Sequence, residues 1–275
     1  MRLVIVGTGL IGGSFALAAR QCALFDRVLG VEPHPERARR AEALGLVDEV
    51  VADVPADADA VLLASPSHTI APWVLRLAEH RGIVFDAASV KGAVVAQIRA
   101  VAALPPRFVP CHPLAGSDRS GPSAADADLY RGQLVVLTPE PETDADAVER
   151  VAGWWGVLGA RVQQMAAQRH DEILARTSHL PHLLAFAYLH AVSDDDLGCA
   201  AGGFRDFTRI GGADADMWAP IFGLNRRSVL DAVAGFEAQL AQLRGLIEGG
   251  AEAEGELKAF IAAAAQRRKR FSHDG

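Results

Sequence analysis

The sequence predicts an α/β protein in two parts: a doubly wound, mostly parallel sheet over residues 1–165 and an all-α domain over residues 166–275. Short apolar runs alternate with helical patterns in the first part, which is typical of parallel strands joined by helices. After about Met165 only helical spacing continues. Half of the 275 residues are hydrophobic and only 6% are aromatic, which suits a large core of Ala, Val and Leu.

Each element of this fold is predicted from its own pattern. The predicted strands are Leu3–Val6, Val28–Val31, Asp48–Val51, Ala60–Ala64, Gly82–Phe85, Arg107–Pro110, Gln133–Leu137 and Ala160–Gln163. The first helix begins after the first strand, and the later ones are His34–Leu44, Thr69–His80, Val90–Ala103 and Asp144–Leu158. The all-α domain is predicted to contain Ala166–Val192 with an interruption at Pro181, a glycine-rich segment over 197–212, Met217–Leu246 and Glu252–Arg270.

The strongest local pattern is a glycine-rich turn after the first strand. Gly7, Gly9 and Gly12 have the spacing G-x-G-x-x-G, and Glu32 ends the second strand. Such glycines permit a tight turn, let the backbone approach a pyrophosphate and let the helix pack close to the strand. The carboxylate of Glu32 can accept hydrogen bonds from a ribose 2′-hydroxyl and would repel a 2′-phosphate. The pattern predicts a Rossmann-type site for a dinucleotide, with NAD as the expected cofactor.

Composition and charge argue against several classes of partner. The net charge of −7 and the lack of a basic patch interleaved with aromatic residues disfavour nucleic acid. No apolar run reaches the length of a membrane span, and the first strand begins too close to Met1 for a signal peptide. The three cysteines are far apart, which suits a reducing compartment and fits neither a disulfide framework nor a metal site. We therefore expect a cytoplasmic protein.

Polar side chains follow the apolar runs at the sheet edge where open parallel sheets bind ligands. Ser65 and Ser67 follow the fourth strand, and Ser89 lies in the segment DAASVKG after the fifth. His112 follows the sixth strand. Beside a nicotinamide, a neutral imidazole can take the proton of a carbinol hydroxyl, so His112 is a candidate general base. A loop histidine with a purely structural role is the alternative.

The helical domain adds a second set of polar residues. His179 and His182 stand three apart, but no third ligand accompanies them, so no metal site is predicted. Arg205 and Arg209 lie in a glycine-rich segment with apolar flanks. An arginine there can bind a substrate carboxylate, whereas a structural ion pair is the alternative and fits Arg205 better. Trp218 either packs in the core or lines a pocket.

Several short segments of this sequence, taken in chain order, resemble those of the prephenate/arogenate (cyclohexadienyl) dehydrogenases. The matching segments are GTGLIGGS, SPS, DAASVKG, CHPLAGSDRSG, SHLPH, GGFRDFTRIGGADADMW and FGLNRRSV. The resemblance extends to about residue 247 and implies a dinucleotide-binding domain followed by a helical dimerisation domain. It therefore implies a homodimer with a small-molecule substrate.

The resemblance also implies a reaction, the oxidative decarboxylation of prephenate or arogenate in tyrosine biosynthesis. Hydride passes from C4 to the dinucleotide as CO₂ leaves, and aromatisation drives the reaction without a metal. His112 would accept the 4-hydroxyl proton, and Ser89 would orient the hydroxyl. The implied substrate-binding positions are Arg209, His179, His182, Asp118 and Trp218. The implied cofactor-binding positions are Gly7, Gly9, Leu10, Ile11, Gly12, Glu32, Ser65 and Ser67.

Several alternatives stay open at this point. Glu32 stands where many relatives have Asp and is followed by Arg37, Arg39 and Arg40, so use of NADP remains open. Asp118 is Glu in some relatives, which leaves prephenate against arogenate undecided. A 4-amino-4-deoxyprephenate dehydrogenase and a non-catalytic dinucleotide sensor are the competing functions. The 3-hydroxyacid dehydrogenases rely on a lysine in their helical domain, and this helical domain has none before position 258.

Overall fold

The computed structural model describes residues 1–117 and 119–273. The chain divides into two compact units, Met1–Arg226 and Arg227–Gly275. The border at residue 165 that the sequence predicts between a sheet domain and a helical domain stays a prediction. Among the helices described, none is both long and apolar enough to cross a membrane.

The first unit is built on a six-stranded parallel sheet with the strand order β3-β2-β1-β4-β5-β6. Its strands are β1 (Arg2–Val6), β2 (Arg27–Val31), β3 (Glu49–Val50), β4 (Ala60–Leu63), β5 (Ile83–Asp86) and β6 (Phe108–Val109). A smaller sheet contains β7 (Cys111–Pro113), β8 (Leu134–Leu137) and β9 (Arg161–Gln164). In it β7 pairs antiparallel with β8, and β9 pairs parallel with β8. The predicted doubly wound sheet is confirmed.

Helices connect and cover the strands. Those of the first part of the chain are α1 (Leu10–Gln21), α2 (Pro35–Ala43), α3 (Ser67–Arg76), α4 (Gly92–Arg99) and α5 (Ala145–Val157). Those that follow the last strand are α6 (Ala167–Leu174), α7 (Leu180–Ala191), α8 (Asp194–Leu197), α9 (Gly202–Thr208), α10 (Ala215–Leu224), α11 (Arg226–Glu248) and α12 (Glu254–His273). Among the residues described after β9, up to position 273, only helices and turns occur, which agrees with the predicted all-α region.

The core lies on both faces of the parallel sheet because side chains alternate along each strand. Leu3 and Ile5 of β1 pack into one cluster, where Phe15 and Trp155 meet edge to face with their ring centroids 4.9 Å apart. Val4 of β1 packs into the cluster on the other face, with side chains from α3 and α4. A strand buried on both faces explains the continuous apolar runs in the sequence.

One strand differs from the sequence prediction, which ended the sixth strand at Pro110 and placed His112 after it. Instead Cys111–Pro113 forms β7, and His112 pairs with Val136 of β8. Three residues that include a proline carry no periodic pattern. The strand exists because β8, more than twenty residues later in the chain, supplies its hydrogen-bonding partners.

The long predicted helix over 166–192 is interrupted just before Pro181. Residues Ala175–His179 form a π-helical segment between α6 and α7. Pro181 has no N–H to bond to the carbonyl of Thr177, and its ring crowds that carbonyl, so the turn widens there. The predicted helix over 217–246 is also divided, because Asn225 leaves helical geometry between α10 and α11.

Candidate active site

The glycine-rich turn between β1 and α1 is shaped by close backbone contacts. Gly7 has a φ of +92°, and a Cβ there would lie 2.7 Å from the backbone oxygen of Ala64. At Gly12 a Cβ would lie 2.1 Å from the backbone oxygen of Gly7. Only glycine therefore permits this turn and this helix packing. Gly9 differs, because a Cβ there would meet no described atom within 4 Å, which leaves its backbone open to an approaching group.

Glu32 directly follows β2 and lies next to this turn, as the motif requires. Its Oε2 accepts hydrogen bonds from the backbone N–H and the hydroxyl of Thr8, both at 3.3 Å. Its Oε1 accepts one from the backbone N–H of His34 at 3.2 Å. The side chain is half-buried. These donors hold a carboxylate at the edge of the turn, where it can face a ribose.

The remaining predicted cofactor positions lie around the same sheet edge. Leu10 and Ile11 open α1 and are half-buried. Ser65 follows β4, and its hydroxyl is 2.7 Å from that of Thr69. Ser67 begins α3 and is buried. The ends of β1, β2 and β4 thus bring together all the residues that the sequence predicts for cofactor binding.

A fully buried ion pair, absent from the predicted site, anchors β5 to β7. The Lys91 ammonium pairs with the Asp86 carboxylate and donates to the backbone oxygen of Cys111 at 2.8 Å. Oδ1 of Asp86 accepts from the backbone N–H of Cys111 at 2.9 Å. Burial and the charge of Asp86 raise the pKa of the Cys111 thiol to about 12. The thiol therefore stays protonated, and the pair fixes the backbone that carries His112.

His112 is hydrogen-bonded to a second histidine. Its Nδ1 lies 2.9 Å from Nε2 of His170, and Nδ1 of His170 lies 2.8 Å from Oδ1 of Asp171. His112 is only 9% exposed, and His170 is fully buried. Burial, followed by the neighbouring His170, Lys91 and His179, holds the pKa of His112 well below its ordinary value. The imidazole is therefore neutral at neutral pH and able to accept a proton.

His179 lies in the π-helical segment and is tied to Asn225. Nδ2 of Asn225 donates to the backbone oxygen of Asp171 at 2.8 Å and lies 3.1 Å from Nδ1 of His179. A backbone oxygen only accepts, so the shared atom is the amide nitrogen, and Nδ1 of His179 accepts its second hydrogen. The proton of neutral His179 is then on Nε2. Burial lowers the pKa of His179 to about 4, so the ring stays neutral.

His182, Trp218 and Arg209 lie beyond His179 and continue the group of site residues formed by His112, His170 and His179. The His182 ring stacks on the indole of Trp218 with the centroids 3.7 Å apart, and His179 meets the same indole edge to face at 5.9 Å. The pKa of His182 is lowered chiefly by burial and also by the charge of Arg209, which therefore lies nearby. Arg209 is exposed, and within the described part of the chain it forms no ion pair with an acidic group. Its guanidinium is thus available to an anion.

Ser89 and Trp218 are connected through the core. Ser89 is half-buried in the loop between β5 and α4. The next residue, Val90, packs in one buried cluster with Trp218 and Ile221 of α10. This cluster holds the loop of Ser89 beside the helices that carry the histidines. Asp118, the remaining predicted substrate position, lies outside the described residues.

Five side chains that organise this site are missing from the predicted site: Asp86, Lys91, His170, Asp171 and Asn225. Their contacts join positions up to 80 residues apart, as between Lys91 and Asp171, so spacing alone does not reveal them. The adjacent pair His170-Asp171 can be recognised in the sequence, but the sequence does not show that His170 contacts His112. No group of three or more His, Cys, Asp or Glu side chains able to hold a metal occurs among the residues described.

Comparison with known proteins identifies the family. Residues 15–164 match the model described as prephenate dehydrogenase, nucleotide-binding domain, and residues 166–262 match the one described as prephenate dehydrogenase, dimerization domain. The cyclohexadienyl dehydrogenase of Zymomonas mobilis is 35% identical over 257 residues, which cover 88% of this chain and 87% of that protein.

Solved structures agree along almost the whole chain. The prephenate dehydrogenase of A. aeolicus in complex with hydroxyphenyl propionate and NAD⁺ has a TM-score of 0.91 and 35% identity, with 98% of each chain covered. The Synechocystis arogenate dehydrogenase has a TM-score of 0.82 and 28% identity, with 98% of this chain and all of that chain covered. Both the family models and these relatives confirm the resemblance read from the sequence motifs. The chain belongs to the prephenate dehydrogenase family.

Proposed function

We propose that this protein oxidatively decarboxylates prephenate, arogenate or both with NAD⁺, giving 4-hydroxyphenylpyruvate or tyrosine. The observation that carries the proposal is the neutral, nearly buried imidazole of His112, whose Nδ1 lies 2.9 Å from Nε2 of His170. A base of this kind suits the removal of a hydroxyl proton during oxidation. Relatives named for prephenate, arogenate and cyclohexadienyl substrates support the substrate class.

The residues around the glycine turn fit a dinucleotide. Gly9 leaves open space in front of its backbone, and the N-terminus of α1 directs its free N–H groups there. The carboxylate of Glu32 suits a ribose with free hydroxyls and opposes a 2′-phosphate, so NAD is favoured over NADP. Arg37 and Arg39 are exposed, and Arg40 donates to the hydroxyl of Ser123 at 2.9 Å. When bound, NAD⁺ supplies the acceptor for the hydride from C4 of the substrate.

The chain supplies a proton acceptor and substrate contacts. Nε2 of His112 takes the 4-hydroxyl proton as the C4–H bond breaks. The ring carboxylate leaves as CO₂, its bonding electrons enter the ring, and the oxygen on C4 becomes a phenolate that takes the proton back from His112. Ser89 would orient the hydroxyl. Because formation of the aromatic ring is strongly favourable, the protein has to position and deprotonate the substrate, not strain it.

The helical side of the site provides the groups that would bind the substrate. Arg209 would pair with a carboxylate, since its guanidinium is exposed and forms no ion pair with a described acidic group. His179 would donate from Nε2, because its Nδ1 is occupied by Asn225. The stacked rings of His182 and Trp218 would form an apolar wall for the cyclohexadiene ring. The role of Asp118 stays a proposal from the sequence.

The deciding experiment is an assay of NADH or NADPH formation with prephenate and arogenate, each with NAD⁺ and with NADP⁺. We expect turnover with NAD⁺ and at least one of the two substrates, and weaker turnover with NADP⁺. Silence in all four combinations, with NAD⁺ binding confirmed by calorimetry, would favour a non-catalytic sensor. If those four combinations are silent but 4-amino-4-deoxyprephenate reacts in the same assay, the substrate is reassigned and the sensor is excluded.

We also propose that the protein is a homodimer. The model matched over residues 166–262 is described as a dimerization domain. In the second unit, Leu230, Leu240, Ile247 and Ile261 are each more than half exposed, so α11 and α12 present large apolar side chains to solvent. Such side chains are typical of helices that pack against a second copy. Light scattering at several concentrations tests this, and a monomer at assay concentration would contradict it.

A further inference from the structure

A buried chain of hydrogen bonds leads from His112 to the start of α4. Oδ1 of Asp171 accepts from the backbone N–H of Lys91 at 2.9 Å, and Oδ2 accepts from that of Gly92 at 2.8 Å. Oδ1 of Asp171 also contacts Nδ1 of His170, whose Nε2 contacts Nδ1 of His112. Asp171 is only 4% exposed. The carboxylate therefore caps α4 and at the same time ends a two-histidine chain.

The position of each proton in this chain follows from what each group can do. Backbone N–H groups only donate, so both oxygens of Asp171 act as acceptors at the start of α4. The proton between Asp171 and His170 therefore resides on Nδ1 of His170. With its ring proton on Nδ1, His170 presents the lone pair of Nε2, so the hydrogen between the two histidines belongs to Nδ1 of His112.

We propose that His170 and Asp171 are positioning residues that hold His112 in the Nδ1–H tautomer, which leaves its Nε2 bare as the base. The use of Nε2 as a base rests on the proposed function, whereas the tautomer rests on the hydrogen bonds. When Nε2 takes up a proton, Nδ1–H still donates to His170, and the carboxylate of Asp171 on the far side of His170 provides the negative charge that stabilises the imidazolium.

The other groups that face His112 make this support necessary. Burial acts most strongly against a positive charge on His112, followed by the ring of His170, the ammonium of Lys91 at the start of α4 and the ring of His179 in the π-helical segment. Lys91 is balanced by Asp86. Asp171 provides the compensating negative charge on the Nδ1 side of the ring, through His170.

Two local features keep Asp171 in place. A Cβ at position 92 would lie 3.0 Å from Oδ2 of Asp171, so glycine at the start of α4 lets the carboxylate approach both N–H groups. The backbone oxygen of Asp171 accepts from Asn225 at 2.8 Å. The glycine of the DAASVKG segment thus serves the carboxylate that supports His112.

The test measures the tautomer directly, by ¹⁵N NMR of the whole enzyme with ¹⁵N-labelled histidine, because ring nitrogen shifts separate protonated from bare nitrogens. Signals of His112 are assigned by their loss in His112→Gln. We expect a protonated Nδ1 and a bare Nε2 in the wild type. In Asp171→Asn and His170→Phe we expect the Nε2–H tautomer to appear. With the better substrate, kcat should fall by about 10²–10⁴-fold with little change in KM.

Matched variants separate this role from a merely structural one. His170→Gln restores an acceptor near Nε2 and should recover part of the kcat lost in His170→Phe. Asp144→Asn changes the carboxylate that caps α5, whose partners are the backbone N–H of Asp146 and the side chain of Arg107, and should leave kcat unchanged. If Asp171→Asn fails to fold, the wild-type spectrum and His170→Phe still decide the question.

The outcomes distinguish the two proposals. A protonated Nε2 on His112 in the wild type overturns the inference whether or not the enzyme turns over. The inference is also overturned if Asp171→Asn and His170→Phe both keep the wild-type tautomer of His112 and the wild-type kcat. If the wild type has the expected tautomer but no combination of substrate and cofactor reacts, the proposed function fails while the tautomer assignment stands.

Discussion

Nδ1 of His112 lies 2.9 Å from Nε2 of His170, so the candidate base is oriented by an imidazole 58 residues later in the chain. His112 is on β7 and His170 is on α6, which follows the last strand. The contact therefore joins the sheet to the helices that carry the proposed substrate groups. Through His179, Trp218 and His182 the same cluster extends to Arg209.

Replacing His112 by Asn should remove the proton acceptor and keep the fold. We expect kcat to fall by about 10²–10⁴-fold, the usual contribution of a positioned acid–base group, with KM and NAD⁺ affinity close to wild type. Steady-state kinetics and calorimetry measure these quantities. His80→Asn is the control, because His80 is also partly buried and its Nε2 lies 3.0 Å from the backbone oxygen of Ala58. Near-wild-type turnover in His112→Asn would remove this residue from the mechanism.

Replacing Arg209 by Ala should weaken substrate binding more than it slows the chemical step. A charge-assisted hydrogen bond to a carboxylate contributes about 1.5–3 kcal/mol, so we expect KM to rise by about 10- to 100-fold. Arg205→Ala is a matched control, since that side chain is also exposed and lies one turn earlier. Equal KM values in the two variants would make Arg209 an ordinary surface residue.

Two glycines of the same turn should respond differently to alanine. At Gly12 the new Cβ would lie 2.1 Å from a backbone oxygen, so Gly12→Ala should lower the free energy of unfolding by about 1–3 kcal/mol. At Gly9 the Cβ meets open space, so Gly9→Ala should keep its stability and lose NAD⁺ affinity instead. Thermal unfolding and NAD⁺ titration measure the two effects. A Gly9→Ala protein with wild-type affinity would contradict the proposed approach of the pyrophosphate.

Acid should destabilise the fold through buried neutral histidines. The pKa of His179 is 6.5 when unperturbed and about 4 in the folded state, mainly because of burial. Below pH 6.5 the unfolded state binds more protons, so the free energy of unfolding falls as pH decreases from 6.5 towards 4. From His179 alone the loss between pH 8 and pH 4 is about 3 kcal/mol.

Urea unfolding of the wild type and of His179→Gln at several pH values checks this expectation. The difference between the two proteins isolates His179 from the carboxylates, which also titrate at low pH. The variant should lose less stability on acidification, with the divergence beginning below about pH 6.5. Parallel curves would mean that His179 is not held neutral in the folded protein.

The three cysteines should differ in reactivity. Cys111 is fully buried and the pKa of its thiol is raised to about 12, so it should resist a thiol reagent in the native protein. Cys22 and Cys199 are exposed and should react. Titration with a chromogenic disulfide should therefore count two thiols in the native state and three after denaturation. Three fast-reacting thiols in the native protein would contradict the buried environment of β7.

Features that depend on residues close together in the chain can be predicted from the amino-acid sequence. The alternation of strands and helices, the glycine turn, the position of Glu32 and the family resemblance all follow from patterns over a few tens of residues. They are visible because backbone geometry and burial on both faces restrict the residues at each place. The segments around His112 and Arg209 predict these two site residues in the same way.

The surroundings of those two residues depend on how distant parts of the chain pack together. The strand β7 needs β8 for its hydrogen bonds, and the contacts of His112 with His170 and of Asp171 with Lys91 join distant parts of the chain. Such pairs leave no periodic signal in the sequence, because their geometry arises when the sheet and the helices pack together. A histidine's chemistry depends on its burial and on the partner of each ring nitrogen, and packing alone sets both.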